Sequence, residues 1–306
     1  MDFVVSVKHL PSHGETVLGK DFQMIPGGKG ANQACAAARM AGDATRVRMI
    51  GRIGHDVFGD HLKASLSAAG VDVSAVTQSR SQATGVALIA VESSGQNTIV
   101  VASGANMDMA ATDIEAVRRV FRGNAVALFQ LETPVETVKA ALTIAREEGL
   151  ITILDPAPAQ PVSDDLLARV DILTPNETEA LGLLGRAGGG LSPRLTLGDA
   201  APIAEELRSR GPRRVILKLG DQGCFASDES TAVHYPGFPV EAVDATAAGD
   251  TFNAGLAVGL SEGLSFAHAI RMANAAAAIS VTRRGAQSSA PSRAEVDALL
   301  GLQTGR

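Results

Sequence analysis

Short runs of valine, isoleucine and leucine recur along this chain, and their rhythm changes near residue 125. Before that point, apolar runs at 3–7, 47–50, 86–91 and 98–101 are bounded by Gly, Ser or Asn and predict β-strands. The last two, joined by ESSGQN, predict a hairpin. Between the strands, residues 31–41, with Asn32 near the start, predict a helix. From about 125 onward strands and helices alternate. Strands are predicted at 125–128, 151–155, 172–173 and 215–219, and helices at 134–148, 163–169, from 177, 201–210, 250–260 and 266–281. Short buried strands alternating with amphipathic helices predict a parallel sheet covered on both faces. Ligands on such sheets bind at the carboxyl ends of the strands, which is where the unusual residues of this chain fall. The glycine-rich stretch 182–198 predicts a surface loop, and the sequence contains no internal repeat.

The most informative segment is VDATAAGDTFNAG at 243–255. The small residues Ala247, Ala248 and Gly249 lead into an apolar helix with Asp250 at its start. They leave the first helical N–H groups open to an anion, which the positive end of the helix attracts. A plain N-terminal cap also accounts for an Asp there, though not for an approach loop stripped of bulk. At 26–33, PGGKGANQ places three glycines in four residues before a helix, which lets a ligand approach the backbone. Its spacing is not that of a Walker A loop. In TPNETEA at 174–180, Glu177 and Glu179 complement a helix dipole. Alternatively, Asn176 and Glu179 stand near a magnesium ion that keeps its waters. In LKLGDQG at 217–223 a strand runs into a tight glycine turn shaped to line a nucleotide.

Composition narrows the partners. The chain has 306 residues, 45% of them hydrophobic, enough for one large α/β domain or one domain with a small appendage. A net charge of −6 without a basic patch argues against a nucleic-acid backbone as partner, but not against a nucleotide held by backbone N–H groups. Cys35 and Cys224 are far apart and read as small core residues in a reducing compartment. The six histidines form no metal-spaced cluster. No apolar run approaches the roughly 20 residues that a membrane span needs, so a soluble, cytoplasmic protein is expected with no membrane partner.

Taken in order, GGKGANQA, QLETP, DPAPA, TPNETEA, KLGDQG, DATAAGDTFNAG and TRRGAQSS resemble the ribokinase-like (PfkB) carbohydrate kinases over almost the whole chain, the 182–198 loop apart. The resemblance implies one kinase domain over 1–306 with a three-layer α/β/α fold and a mostly parallel central sheet. It also implies a small β-sheet lid from about 2–24 and 84–102, often used for homodimerisation. The implied activity is ATP-dependent phosphorylation of D-ribose at its primary hydroxyl. Fructose, deoxyribose or a nucleoside are alternative acceptors, and a catalytically weak sugar-binding protein is the reading from another class. Carried over by position, Asp250 is the general base, and the backbone of Ala247, Ala248 and Gly249 is the anion hole. Gly28, Lys29, Gly30, Ala31 and Asn32 hold the sugar, with Glu132 and Asp2. Asn176, Lys218, Leu219, Gly220, Asp221, Gln222, Gly223 and Asn274 line the ATP site, next to Gly249 and Asp250. Glu179 supports Mg²⁺ through water. A monovalent cation, normally K⁺, takes Asp244 and the carbonyls of Thr246, Val281, Arg284, Ala286 and Ala290.

The chain also departs from the family pattern. Family members open with a core strand running into an Asn-x-Asp element, whereas here Met1-Asp2 falls inside that element. The first core strand is therefore expected to be missing and the natural start to lie upstream. Lys218 stands where Thr is frequent in the family, and Asn274 where His is common.

Overall fold

The computed structural model describes residues 1–92, 96–186 and 194–304. The tip of the expected hairpin and the centre of the expected 182–198 loop lie outside them. The first part of the chain forms β1 (Asp2–Val7), β2 (Phe22–Ile25), α1 (Lys29–Met40), β3 (Arg48–Ile53), α2 (Val57–Ala68), β4 (Asp72–Gln78), β5 (Val86–Glu92), β6 (Asn97–Ala102) and α3 (Ala111–Ala116). The second part forms β7 (Val126–Phe129), α4 (Val135–Glu147), β8 (Ile151–Leu154), α5 (Asp164–Leu167), β9 (Ile172–Leu173), α6 (Glu177–Leu183), α7 (Leu197–Ser209), β10 (Arg214–Lys218), β11 (Cys224–Ser227), β12 (Ala232–Tyr235), α8 (Ala248–Ser261), α9 (Phe266–Ser280) and α10 (Arg293–Thr304).

The core is a sheet in the order β12-β11-β10-β9-β8-β7, in which β7 to β10 run parallel and β11 and β12 turn back antiparallel. The period of two along a strand sorts its residues between two helical layers. Leu154, Leu173, Val215, Leu217 and Phe225 pack with α4 to α7 on one face. Ile153, Ile172, Ile216, Cys224 and Ala226 pack with α8 and α9 on the other. The three-layer α/β/α arrangement expected from the sequence is thus present. β3 and β4 form a separate parallel pair. Among the described strands, β7 pairs only with β8 and β3 only with β4, so the layer consists of two hydrogen-bonded pieces. The pieces share one apolar cluster, where Ile50 of β3 and Ala127 and Phe129 of β7 pack around Met109, Ile114 and Phe121. A second sheet, β2-β1-β5-β6, pairs β1 parallel with β5 and antiparallel with β2. Phe3 of β1 docks edge-on against Phe58 of α2, ring centroids 5.1 Å apart.

Two local expectations are corrected. Helix α7 begins at Leu197, inside the expected loop, because Thr196 and Asp199 bond to one another at its start, Thr196 N donating to Asp199 Oδ2 at 2.9 Å. The expected 163–169 helix shrinks to one turn, α5.

Helices α8 and α9 meet backbone to backbone, because Gly255 and Gly259 face Ala269, Ala273 and Ala276. A Cβ on Gly255 would stand 3.0 Å from the Cα of Ala273. Gly255→Val is therefore expected to cost about 1–3 kcal/mol through overpacking. Denaturant unfolding checks this, and a midpoint unchanged from the wild type counts against the close packing. The contact seats α8, whose first turn carries Asp250.

Candidate active site

The carboxyl ends of the parallel strands deliver Gln130 and Glu132 after β7, Asp155 after β8, Asn176 after β9 and Lys218 at the end of β10. The N-termini of α1 and α8 converge on the same region, since Asn32 and Gln33 of α1 hydrogen-bond Asp250 of α8. Helix α8 starts at Ala248 rather than 250, after Ala247 in a left-handed conformation with φ 57°. Asp250 is thus the third residue of the helix and not its cap. No side chain caps α8. The N–H groups of a first turn have no partners within their own helix, and here Ala248 N–H donates back to the Ala245 carbonyl at 3.2 Å, which leaves those of Gly249 and Asp250 open.

Asp250 is buried, and both of its oxygens are held. Asn32 Nδ2 donates to Oδ2 and Gln33 Nε2 to Oδ1, each at 3.0 Å. Burial, helped by the charge of Asp155, pushes its pKa up to about 6, against the opposing pull of Lys29, Asn32 and Gln33. Gln33 Nε2 also donates to Asp155 Oδ2 at 3.0 Å, and Gln130 Nε2 donates to Gln33 Oε1 at 2.5 Å. Asp155 Oδ1 accepts from Lys218 Nζ at 2.9 Å. A continuous polar chain therefore runs from Asn32 through Asp250, Gln33 and Asp155 to Lys218.

On one side of Asp250 lie the residues expected to hold a sugar. Gly28 starts α1 at φ 93°, a conformation that favours glycine, and turns the Lys29 N–H toward Glu132 Oε2 at 2.9 Å. Gly27 lies flat against the Asp2 carboxylate, where a Cβ would come within 2.2 Å of an oxygen. Burial raises the carboxyl pKa of both Glu132 and Asp2. The Oδ1 of Asn32 is buried with no protein partner, a free acceptor beside Asp250. Gly30 and Ala31 complete the first turn of α1.

On the other side, Asn176 caps α6 and Glu179 closes a capping box. Glu179 N donates to Asn176 Oδ1, and Asn176 N to Glu179 Oε2, each at 2.8 Å. The helix-start reading of this motif is therefore satisfied. Glu179 is nonetheless buried with its pKa raised by that burial, in spite of the nearby Lys218 cation. After Lys218 and Leu219, the turn of Gly220, Asp221 and Gln222 ends at Gly223, which at φ 87° lies so close to Tyr235 and Gly237 that no Cβ would fit. Asn274 Nδ2 donates to the carbonyls of Tyr235 and Pro236 on the same segment, at 3.3 and 3.4 Å. Asp221 points outward in an exposed ion pair with Arg194.

Of the residues assigned to a monovalent cation, Asp244 is bonded to Thr246, to the Val281 carbonyl and to Gly285, which lies between Arg284 and Ala286. Asp244 accepts from the N–H and hydroxyl of Thr246 and from Gly285 N–H. The carbonyls of Arg284, Ala286 and Ala290 each already accept one hydrogen bond, from Ser288 Oγ, Ser289 Oγ and Arg39 Nη1 respectively, and that of Val281 accepts two, from Val243 N at 2.7 Å and Asp244 N at 3.1 Å. A carbonyl that accepts one bond keeps a second lone pair, which holds for Arg284, Ala286 and Ala290 but not for Val281. Among the described residues, no group of three His, Cys, Asp or Glu side chains is placed to hold a metal ion.

Gln33, Gln130 and Asp155 join the site without having been assigned a role from sequence. A carboxylate directly after the buried strand ILD was the available signal for Asp155. For the two glutamines no local signal exists.

The chain matches the model of the pfkB family carbohydrate kinases over residues 1–293. It is 41% identical to the ribokinase of Haemophilus influenzae over 297 residues, 96% of this chain and 93% of that relative. Its fold is similar to a crystal structure of Thermotoga maritima ribokinase, with TM-score 0.85, 38% identity, and 98% and 96% of the two chains covered. It is also similar to Arabidopsis thaliana ribokinase complexed with ribose and ATP, with TM-score 0.86, 33% identity, and 98% and 95% covered.

Proposed function

The chain belongs to the pfkB family of carbohydrate kinases, and we propose that it transfers the γ-phosphate of ATP to the primary hydroxyl of D-ribose, giving D-ribose 5-phosphate. The observation that carries this reading is Asp250. It is a buried carboxylate with both oxygens oriented by amides, in the uncapped first turn of α8. The ribose and ATP bound to the Arabidopsis relative support both substrates.

Phosphoryl transfer asks a protein mainly for alignment and charge stabilisation. In this reading Asn32, Glu132, Asp2 and the turn at Gly28–Ala31 position the sugar, and Asp250 takes the hydroxyl proton as the oxygen attacks in line. The N–H groups of Gly249 and Asp250 in the first turn of α8 receive the charge on the moving phosphoryl group, while that of Ala248 holds the approach loop by donating to the Ala245 carbonyl at 3.2 Å. Asn176, the turn at 218–223 and Asn274 flank the nucleotide. Mg²⁺ brought with the phosphates supplies further neutralisation and needs few protein ligands. Glu179, a buried carboxylate whose oxygens keep free lone pairs, suits its waters. Asp244 and the carbonyls around it suit K⁺ as activator.

The β2-β1-β5-β6 sheet serves as the lid in this scheme. It leaves Phe22, Met24, Leu88 and Val100 exposed on one face and Ile99 and Val101 on the other, apolar positions that suit a second copy of the chain. The two free, buried cysteines suit a reducing cytoplasm.

The test is ADP release coupled to product identification, with ribose, deoxyribose, fructose and nucleosides as acceptors, with and without K⁺. Ribose is expected to give the highest kcat/KM. Failure of ribose against an active alternative overturns the acceptor. The pH dependence is a second expectation. Because Asp250 must be ionised to accept a proton, kcat/KM should fall as pH drops through about 6. A profile flat down to pH 4.5 removes Asp250 as the base.

A further inference from the structure

A lysine at the end of a sheet strand normally reaches into solvent, but Lys218 turns inward. Its Nζ donates to Asp155 Oδ1 at 2.9 Å and would stand 3.2 Å from a Cβ on Gly249, at the open first turn of α8. Burial alone would lower its pKa. The charges of Asp155 and Glu179, with that of Asp250 behind them, more than reverse this and keep the ammonium protonated above its ordinary range. Asp155, Glu179 and Asp250 surround Lys218, and Lys29 is the second cation near Glu179 and Asp250. Carboxylates still outnumber ammonium groups, a poor host for a triphosphate unless a cation faces the ligand. An ammonium has three N–H donors, and Asp155 uses one of them.

We propose that Lys218 is a catalytic residue of the transfer, its Nζ donating to an oxygen of the phosphoryl group in flight beside the first-turn N–H groups of α8, with Asp155 as the anchor that aims it. This rests on the kinase reading and deepens it, moving Lys218 from the nucleotide wall to the transferred group. The carboxylate–lysine pair, 2.9 Å long and almost wholly enclosed, fixes a charge where charge must be stabilised. Such a group acts more strongly in the transition state than on a bound diphosphate.

The test uses Lys218→Met together with the double variant Asp155→Asn/Lys218→Met. The double variant avoids leaving a buried carboxylate without its cation and is read in the same way if the single variant does not fold. Calorimetry compares ADP with a non-hydrolysable ATP analogue, and steady-state kinetics follow ribose. In Lys218→Met, kcat is expected to fall about 10²-fold, with the KM for ribose unchanged within about twofold. Affinity for the ATP analogue should drop about tenfold, the worth of one charged hydrogen bond, while ADP affinity holds. The acid limb of kcat/KM should move to higher pH, because Asp250 loses a neighbouring cation. Equal losses for ADP and the analogue, or an unaltered kcat with the acid limb in place, overturn the assignment. A wild type that binds both nucleotides but transfers nothing to ribose overturns the ribose reading instead, and the ADP–analogue difference still decides Lys218.

Discussion

Asp250→Asn is expected to lower kcat by about 10²–10⁴-fold, the usual contribution of a positioned base, while ribose and ATP affinities stay near those of the wild type. The geometry tolerates the change unusually well. Both Asp250 oxygens face amide donors, so an Asn amide nitrogen at 250 would meet another donor. Asn32 can relieve that conflict by rotating its amide, because its Oδ1 is buried and unpartnered. The same substitution is expected to stabilise the ligand-free protein near neutral pH. A carboxyl whose folded pKa is raised from 3.8 to about 6 contributes stability below about pH 4 and loses it as pH rises through 6. At pH 7.5 the wild type therefore bears a penalty of up to about 3 kcal/mol that the Asn variant lacks, and at pH 4 the difference vanishes. Denaturant unfolding at the two pH values, with kcat measured alongside, checks both halves. Near-normal turnover in Asp250→Asn would remove the base.

This pairing of strain and function explains why part of the site was legible in the sequence. The loop of small residues before Asp250 and the glycines before α1 are local signals, each stating that backbone must stay accessible. The parallel core was legible for a similar reason. Strands such as β8 and β10 are buried on both faces and read as largely apolar runs, ITIL and VIL. The signals fade where structure depends on distant partners. Helix α2 has only Gly59 and Leu66 buried, so its apolar face is thin, and it starts because Asp56 accepts from Gly59 N. β4 shows no clean alternation, being held by its pairing with β3. Gln33 looks like any polar residue on a helix, and its role depends on Asp250 and Asp155, brought to it from 217 and 122 positions away. The start of α8 was misplaced because Ala247 adopts φ 57° without the glycine that usually announces it.

Gly249→Val tests the other half of the proposed transfer site. Gly249 sits inside α8 with helical geometry, so a side chain is compatible with its backbone. The nearest atom to a Cβ there is Lys218 Nζ at 3.2 Å, with the same side chain's Cε at 4.0 Å and nothing else closer. A valine therefore does not strike the core. Its methyl groups enter the space in front of the first-turn N–H groups and push the lysine aside. Removing one preorganised donor from an anion hole typically costs about 10²–10³-fold in kcat, and a comparable loss is expected here. The variant should unfold within about 1 kcal/mol of the wild type, since the site is open rather than packed. Ribose binding, which the proposed function puts on the α1 side, should survive, whereas affinity for the triphosphate should fall. If Gly249→Val turns over ribose as the wild type does, the first turn of α8 does not face the phosphate. If it loses ribose and nucleotide binding together, the residue holds the fold rather than the anion.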